Sequence, residues 1–113
     1  MNNTLGAYFR GLCEMLSDLP KASFVDNLKT TFRAILEDGT VIDMELLEVI
    51  DRKSTPRQEQ FSLMFCAPVD APAAQQTFRL EHDLLESGEL FLVPVAKNEQ
   101  GVYFQAVFNR LID

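Results

Sequence analysis

The sequence predicts a mainly β (α+β) fold: an N-terminal amphipathic helix, then about six antiparallel strands forming a small barrel or a strongly twisted sheet. Three observations lead there. Apolar residues recur every three or four positions up to Pro20, and every second position from Thr30 onward. Turn-forming residues punctuate the alternating part. Several connections are too short for a crossover helix, so neighbouring strands run antiparallel.

The helix comes first. Leu5, Tyr8, Phe9, Leu12, Met15, Leu16 and Leu19 fall on one side, with Arg10, Glu14 and Asp18 on others, over about four turns. Thr4 can cap its start. Pro20 stops it, because proline cannot continue the ladder and disfavours helix in the residue before it. A second, shorter helical turn follows, capped by Ser23 or Asp26, with Phe24, Val25 and Leu28 pointing inward.

The strands follow in order. Phe32, Ala34 and Leu36 share a face, with Arg33 and Glu37 opposite. Asp38-Gly39 is the favoured centre of a type I′ hairpin turn. Ile42, Met44 and Leu46 then alternate, but Leu47 and Val49 take up the face afterwards, which predicts a β-bulge at or next to Leu46-Leu47. Polar Asp51 to Glu59 reads as a loop. Phe61, Leu63 and Phe65 mark a third strand. Ala67 to Gln75, with two prolines, is a second loop, and Thr77 to His82 a fourth strand. Glu89 to Lys97 is apolar on both faces, which predicts cover on both sides. Pro94 has no N–H to donate, so it belongs at an edge, a bulge or the strand's end. Beyond the turn at Asn98 to Gly101, Val102, Phe104, Ala106 and Phe108 face one way, with Tyr103 and Gln105 opposite. The helix would cover an open side or end of the sheet.

The totals bound the class. The 113 residues suit a single domain over 1–113, with the helix in 1–20 and the β core in 30–109. Acids outnumber bases 17 to 10, a net charge of -7, which disfavours nucleic acid and anionic membrane as partners. Cys13 and Cys66 are too few and too far apart for a secreted disulfide scaffold, and read as buried free thiols. The first residues lack the basic and apolar regions of a signal peptide, so the expected compartment is the cytoplasm. The longest apolar stretch, Leu90 to Ala96, is too short to span a bilayer.

No constellation amounts to an active site, and no catalytic residue, metal ligand or cofactor is expected. His82, the only histidine, lies between Glu81 and Asp83. Strand neighbours point to opposite faces, so neither acid is placed to orient the ring for general-base work. It reads as a rim histidine bonded to backbone. Asp43 and Glu45 share a face that alternation makes a solvated one. Cys66 lacks the electropositive setting of a reactive thiol. The five glycines form no phosphate-cradling loop. The nine phenylalanines fall mostly on inner faces without interleaved Lys or Arg, so they read as core rather than as a base-stacking platform. One functional hint is the helix stripe. Tyr8, Phe9, Leu12, Met15 and Leu16 either pack on the chain's own sheet or meet a partner subunit, since aromatic and Met side chains serve interfaces well.

Thr31-Phe32-Arg33, Leu36-Glu37-Asp38-Gly39, Thr77-Phe78-Arg79-Leu80-Glu81-His82, Leu90-Phe91-Leu92-Val93-Pro94-Val95 and Tyr103 to Asn109 lie in a stretch, Phe24 to Asn109, that resembles a small bacterial domain family without assigned activity. Some members of that family are encoded beside phage-tail-collar-like proteins. The resemblance implies a structural or assembly role and carries no catalytic residue; the helix before Pro20 looks like an addition to the shared core. The expected function is a non-enzymatic binding or assembly module, acting on a protein partner or as a homo-oligomer. The alternative is a small-molecule binder or enzyme with a pocket at the barrel end near His82.

Overall fold

The computed structural model describes residues 15–52 and 54–111. A 3-10 turn, Leu16–Asp18, and a short helix α1, Lys21–Val25, precede six strands: β1 Thr31–Ile35, β2 Val41–Asp51, β3 Gln58–Ala67, β4 Gln76–Glu81, β5 Gly88–Asn98 and β6 Gly101–Leu111. They close into a barrel in the order β1-β2-β3-β6-β5-β4. Closure comes from β1, which pairs with β2 through their hairpin and with β4 on its other edge. Of the two expected architectures, barrel and open sheet, the chain adopts the barrel.

Alternation sorts the side chains as its period requires. Phe32, Ala34, Met44, Leu46, Phe61, Leu63, Phe65, Phe78, Leu80, Leu92, Val102 and Phe104 are all buried inside. Each of these side chains larger than alanine contributes about 1.5–3 kcal/mol on burial. Phe32 meets Phe65 edge-on with ring centres 5.3 Å apart, and Phe78 meets Phe104 the same way at 5.6 Å. Phe24 of α1 closes one end. Its ring lies 5.6 Å from Phe108, which stacks on Phe61 at 4.6 Å with 5° between planes.

The bulge expected near Leu46-Leu47 is present: the β2–β3 register slips between Leu46 and Glu48, so Val49 can rejoin the inner face opposite Leu63. Pro94 also sits at a bulge, since the β5–β6 register slips between Pro94 and Ala96. The first hairpin differs from the expected type I′ turn. Glu37 and Asp38 keep negative φ, and only Gly39 is positive, at 89°. The Gly39 N–H donates to Leu36 O at 3.0 Å and the Leu36 N–H to Thr40 O at 2.8 Å, the pattern of a three-residue loop whose last residue needs glycine's freedom. The Thr40 N–H donates to the Asp38 carboxylate at 2.9 Å, and that bond holds the Asp38 pKa below its usual value.

The expected N-terminal helix falls mostly on residues outside those described; over Leu16–Asp18 the chain is a 3-10 turn instead. The Leu16 N–H donates to Ser87 O at 3.1 Å, so it is not spent on a carbonyl four residues back. An α-helix ladder cannot run through that residue. In α1, neither Ser23 nor Asp26 caps the start, which follows Pro20 directly. Phe24 turns inward as expected and Leu28 packs on the core, but Val25 faces out. Lys29, with φ of 66°, then swings the chain into β1, its N–H donating to Leu46 O.

Candidate functional site

The β5–β6 ladder is incomplete. It runs from Asn98↔Gly101 to Val93↔Gln105 and stops there, although β5 begins at Gly88 and β6 continues to Leu111. Over that remainder β5 pairs with β4 on one side, and β6 with β3 on one side. The barrel wall is therefore split along Gly88–Leu92 and Ala106–Arg110.

The 3-10 turn fills the inner part of the split. Leu16 is 1% exposed, and a Cβ built on Gly88 would lie 2.7 Å from the Leu16 backbone nitrogen. Only glycine permits that approach. Arg110 secures the turn from the β6 side by donating to Ser17 O at 3.0 Å. Its guanidinium stands 4.8 Å from the Phe108 ring centre and 5.3 Å from that of Phe61, with Glu59 at 3.5 Å. Burial pushes the Arg110 pKa down, opposed by Glu59 and Asp18. An arginine nonetheless keeps its charge at neutral pH.

Outside the turn the split leaves a surface hollow of about 530 Å³, lined by Ser17, Phe91, Val93, Gln105, Val107 and Asn109 among others. Phe91 is 53% and Val107 62% exposed, and Val95 and Leu111 stand out farther along the same two strands. The expectation that β5 is covered on both faces is thus corrected. Its inner face is buried, but its outer face is open and carries the exposed Phe91 and Val95 between Glu89 and Lys97. The both-sided run was the signal in the sequence; periodicity could not say that nothing among the described residues lies over it. Beside this strip Ser62 pairs with Val107 and Ile50, and its hydroxyl is buried with no hydrogen-bond partner. A second hollow of about 540 Å³, lined by residues of Thr40–Asp43 and Pro68–Pro72, is more polar in its setting, with Asp43 and Asp70 at its walls.

His82 is held at the barrel rim. The Thr30 hydroxyl donates to Asn27 O at 2.6 Å, which leaves it to accept from His82 Nε2–H at 2.8 Å. Nδ1 accepts the Leu84 N–H at 3.0 Å. Both ring nitrogens of the neutral imidazole are thereby used. The ring also packs on Phe32 with centres 4.5 Å apart. Desolvation pushes the His82 pKa down, helped by Arg33 and opposed by Asp83. His82 lines neither of the two hollows above, and Phe32, on which its ring packs, is fully buried.

The other expected residues are placed as follows. Tyr8, Phe9, Leu12 and Cys13 lie outside the described residues. Met15 is about half exposed, whereas Leu16 is spent inside the chain's own wall and cannot meet a partner. Cys66 is only half-buried, because it faces outward opposite Tyr103; its Sγ lies 3.7 Å from Ala67 O. Asp43 and Glu45 are exposed, and no three His, Cys, Asp or Glu side chains converge as metal ligands among the described residues. No helix among those residues is long and apolar enough to cross a membrane.

No curated protein and no solved structure matches the chain. A family model does, over residues 19–108: every strand but the last residues of β6 lies within it, while the 3-10 turn that fills the split lies before it. The chain belongs to the family described as a domain of unknown function, DUF6916.

Proposed function

We propose that the protein is a non-enzymatic binding or assembly module of the cytoplasm, and that it meets a protein surface, a partner's or a second copy's, through the outer face of β5 and β6. The observation that carries this reading is the exposed apolar strip of Phe91, Val95, Val107 and Leu111 beside an interrupted strand ladder. Exposed apolar side chains gathered on two neighbouring strands are what an interaction site offers, and strand edges accept further chains. His82 lines neither of the two hollows described above, which weighs against a small-ligand site beside it. A net charge of -7 makes nucleic acid and anionic membranes poor partners. The resemblance to proteins encoded beside phage-tail-collar-like genes points the same way, toward a structural role in a particle.

The test uses the full chain and its Val107→Glu and Val95→Glu variants, which change only outward-facing positions. Light scattering across a wide concentration range reads self-association. Recovery of binding partners from the native host reads hetero-assembly. Wild type should associate, and both variants should lose at least tenfold in affinity. Equal recovery by all three chains, with a monomeric mass at every concentration, would end this reading.

A further inference from the structure

We infer that His82 is a proton-operated latch: a proton taken up at Nδ1 releases the Asp83–Ser87 loop, and the released loop loosens the 3-10 turn that fills the seam. The latch operates whether or not the outer strip of β5 and β6 meets a partner.

The hydrogen bonds around the ring leave one place for a second proton. The Thr30 hydroxyl spends its own proton on Asn27 O at 2.6 Å, so at 2.8 Å it accepts from His82 Nε2–H. The neutral ring then carries its lone pair on Nδ1, and that lone pair accepts the Leu84 N–H at 3.0 Å. A protonated Nδ1 is a donor, and two N–H groups cannot share one bond. The first turn of the loop and the imidazolium are therefore mutually exclusive. With the opposite tautomer the new proton would meet a hydroxyl, which can rotate to suit it; the Leu84 backbone N–H cannot.

The surroundings of the ring hold the latch closed at neutral pH. Packing on Phe32, with ring centres 4.5 Å apart, takes water from the imidazole and disfavours its charge. Two charged groups bear on it. Asp83, the first residue of the loop, favours the imidazolium. Arg33 of β1 disfavours it and holds the Asp83 carboxylate at 2.9 Å. The Asn27–Thr30 turn contributes the neutral Thr30 hydroxyl.

The loop carries the change to the seam. It joins β4 to β5, and Gly88 follows it directly. Ser87 O accepts the Leu16 N–H at 3.1 Å, and the Ser87 hydroxyl accepts from Arg79 at 3.1 Å. One end of this short connection is thus fixed by the His82 ring. The other end holds the turn whose Leu16 lies against Gly88.

Nuclear magnetic resonance of the full-length chain reads each step. At neutral pH the ring should show Nε2 protonated and Nδ1 bare. As pH falls across the imidazole's own midpoint, amide protection at Leu84 and Leu16, corrected for intrinsic exchange, should drop about threefold or more, as one lost hydrogen bond requires. The amides of Leu63 and Phe65, in a strand paired on both sides, should keep theirs. Two variants separate the proton from the fold. His82→Asn puts an amide oxygen near the place of Nδ1, in the manner of an Asx turn, and cannot charge, so Leu84 and Leu16 should stay protected over the same pH range. His82→Gln reaches toward Thr30 and offers Leu84 no acceptor there, so both amides should be weakly protected throughout. The opposite tautomer, protection at Leu84 that ignores the imidazole titration, or a pH response that survives in His82→Asn would overturn the latch. Loss at Leu84 with Leu16 unmoved would overturn its link to the seam. Equal loss at Leu63 and Phe65 would overturn it too, since the whole barrel would then be opening.

Discussion

Gly88 and Leu16 approach so closely that a single methyl group at residue 88 would lie 2.7 Å from the Leu16 amide nitrogen and 3.0 Å from its Cβ. The contact joins the start of β5 to a turn far away in sequence, and it closes a wall that strand pairing leaves open. Gly88→Ala should push the turn out of the seam and cost about 1–3 kcal/mol, the usual range for overpacking a filled site. Leu16→Ala should cost about 2–5 kcal/mol by leaving a cavity. Because both act on one contact, the double variant should lose less than the two together. Urea unfolding of the four chains measures this, and strict additivity would show that the turn is not wedged against Gly88.

Arg110 holds the same turn by charge and by its plane. Arg110→Met removes the hydrogen bond to Ser17 O and the stacking over Phe108 and Phe61, and should cost about 1–3 kcal/mol. Arg110→Lys should recover less than half of that, since an ammonium has no flat face to lay on the rings. Chemical denaturation of both variants decides it; full rescue by lysine would leave only the charge at work.

His82 should make stability depend on pH in one direction. Its folded pKa lies below the ordinary imidazole value of about 6.5, so below that pH the unfolded chain binds more protons than the folded one. Stability is therefore fully present above about pH 6.5, declines as pH falls, and levels off below the folded pKa. His82→Gln should remove this part of the decline. The imidazole resonances should titrate below 6.5; a midpoint at or above that value would contradict the desolvation of the ring against Phe32.

Ser62 is buried between Ile50 and Val107 with its hydroxyl unbonded. An unpartnered buried hydroxyl costs about 1–3 kcal/mol relative to one in water. Ser62→Ala removes it at little change in volume, and should raise the urea midpoint by the equivalent of up to about 1 kcal/mol. A clear loss of stability would mean that the hydroxyl has a partner.

The residues alone disclose what one strand can state about itself. The period of two assigned Phe61, Leu63, Phe65, Phe78 and Phe104 to the interior. The slip at Leu46-Leu47 marked one bulge, and the missing N–H of Pro94 narrowed its place to an edge, a bulge or a strand's end. These are properties of neighbouring residues, and neighbours are all that periodicity reads. The first hairpin already exceeded that reach, because Asp-Gly suits more than one loop length and the bonds between Leu36 and Thr40 chose the longer. It took the folded barrel to bring β1 to β4, to part β5 and β6 beyond the Val93–Gln105 pair, and to give the Leu16 N–H to Ser87. Each is a pairing between residues distant in the chain, settled by which closure buries the most apolar surface and leaves the fewest backbone groups unpaired. The same holds for the outer face of β5, whose apolar residues looked like doubly covered core until the barrel placed the described chain on one side of them alone.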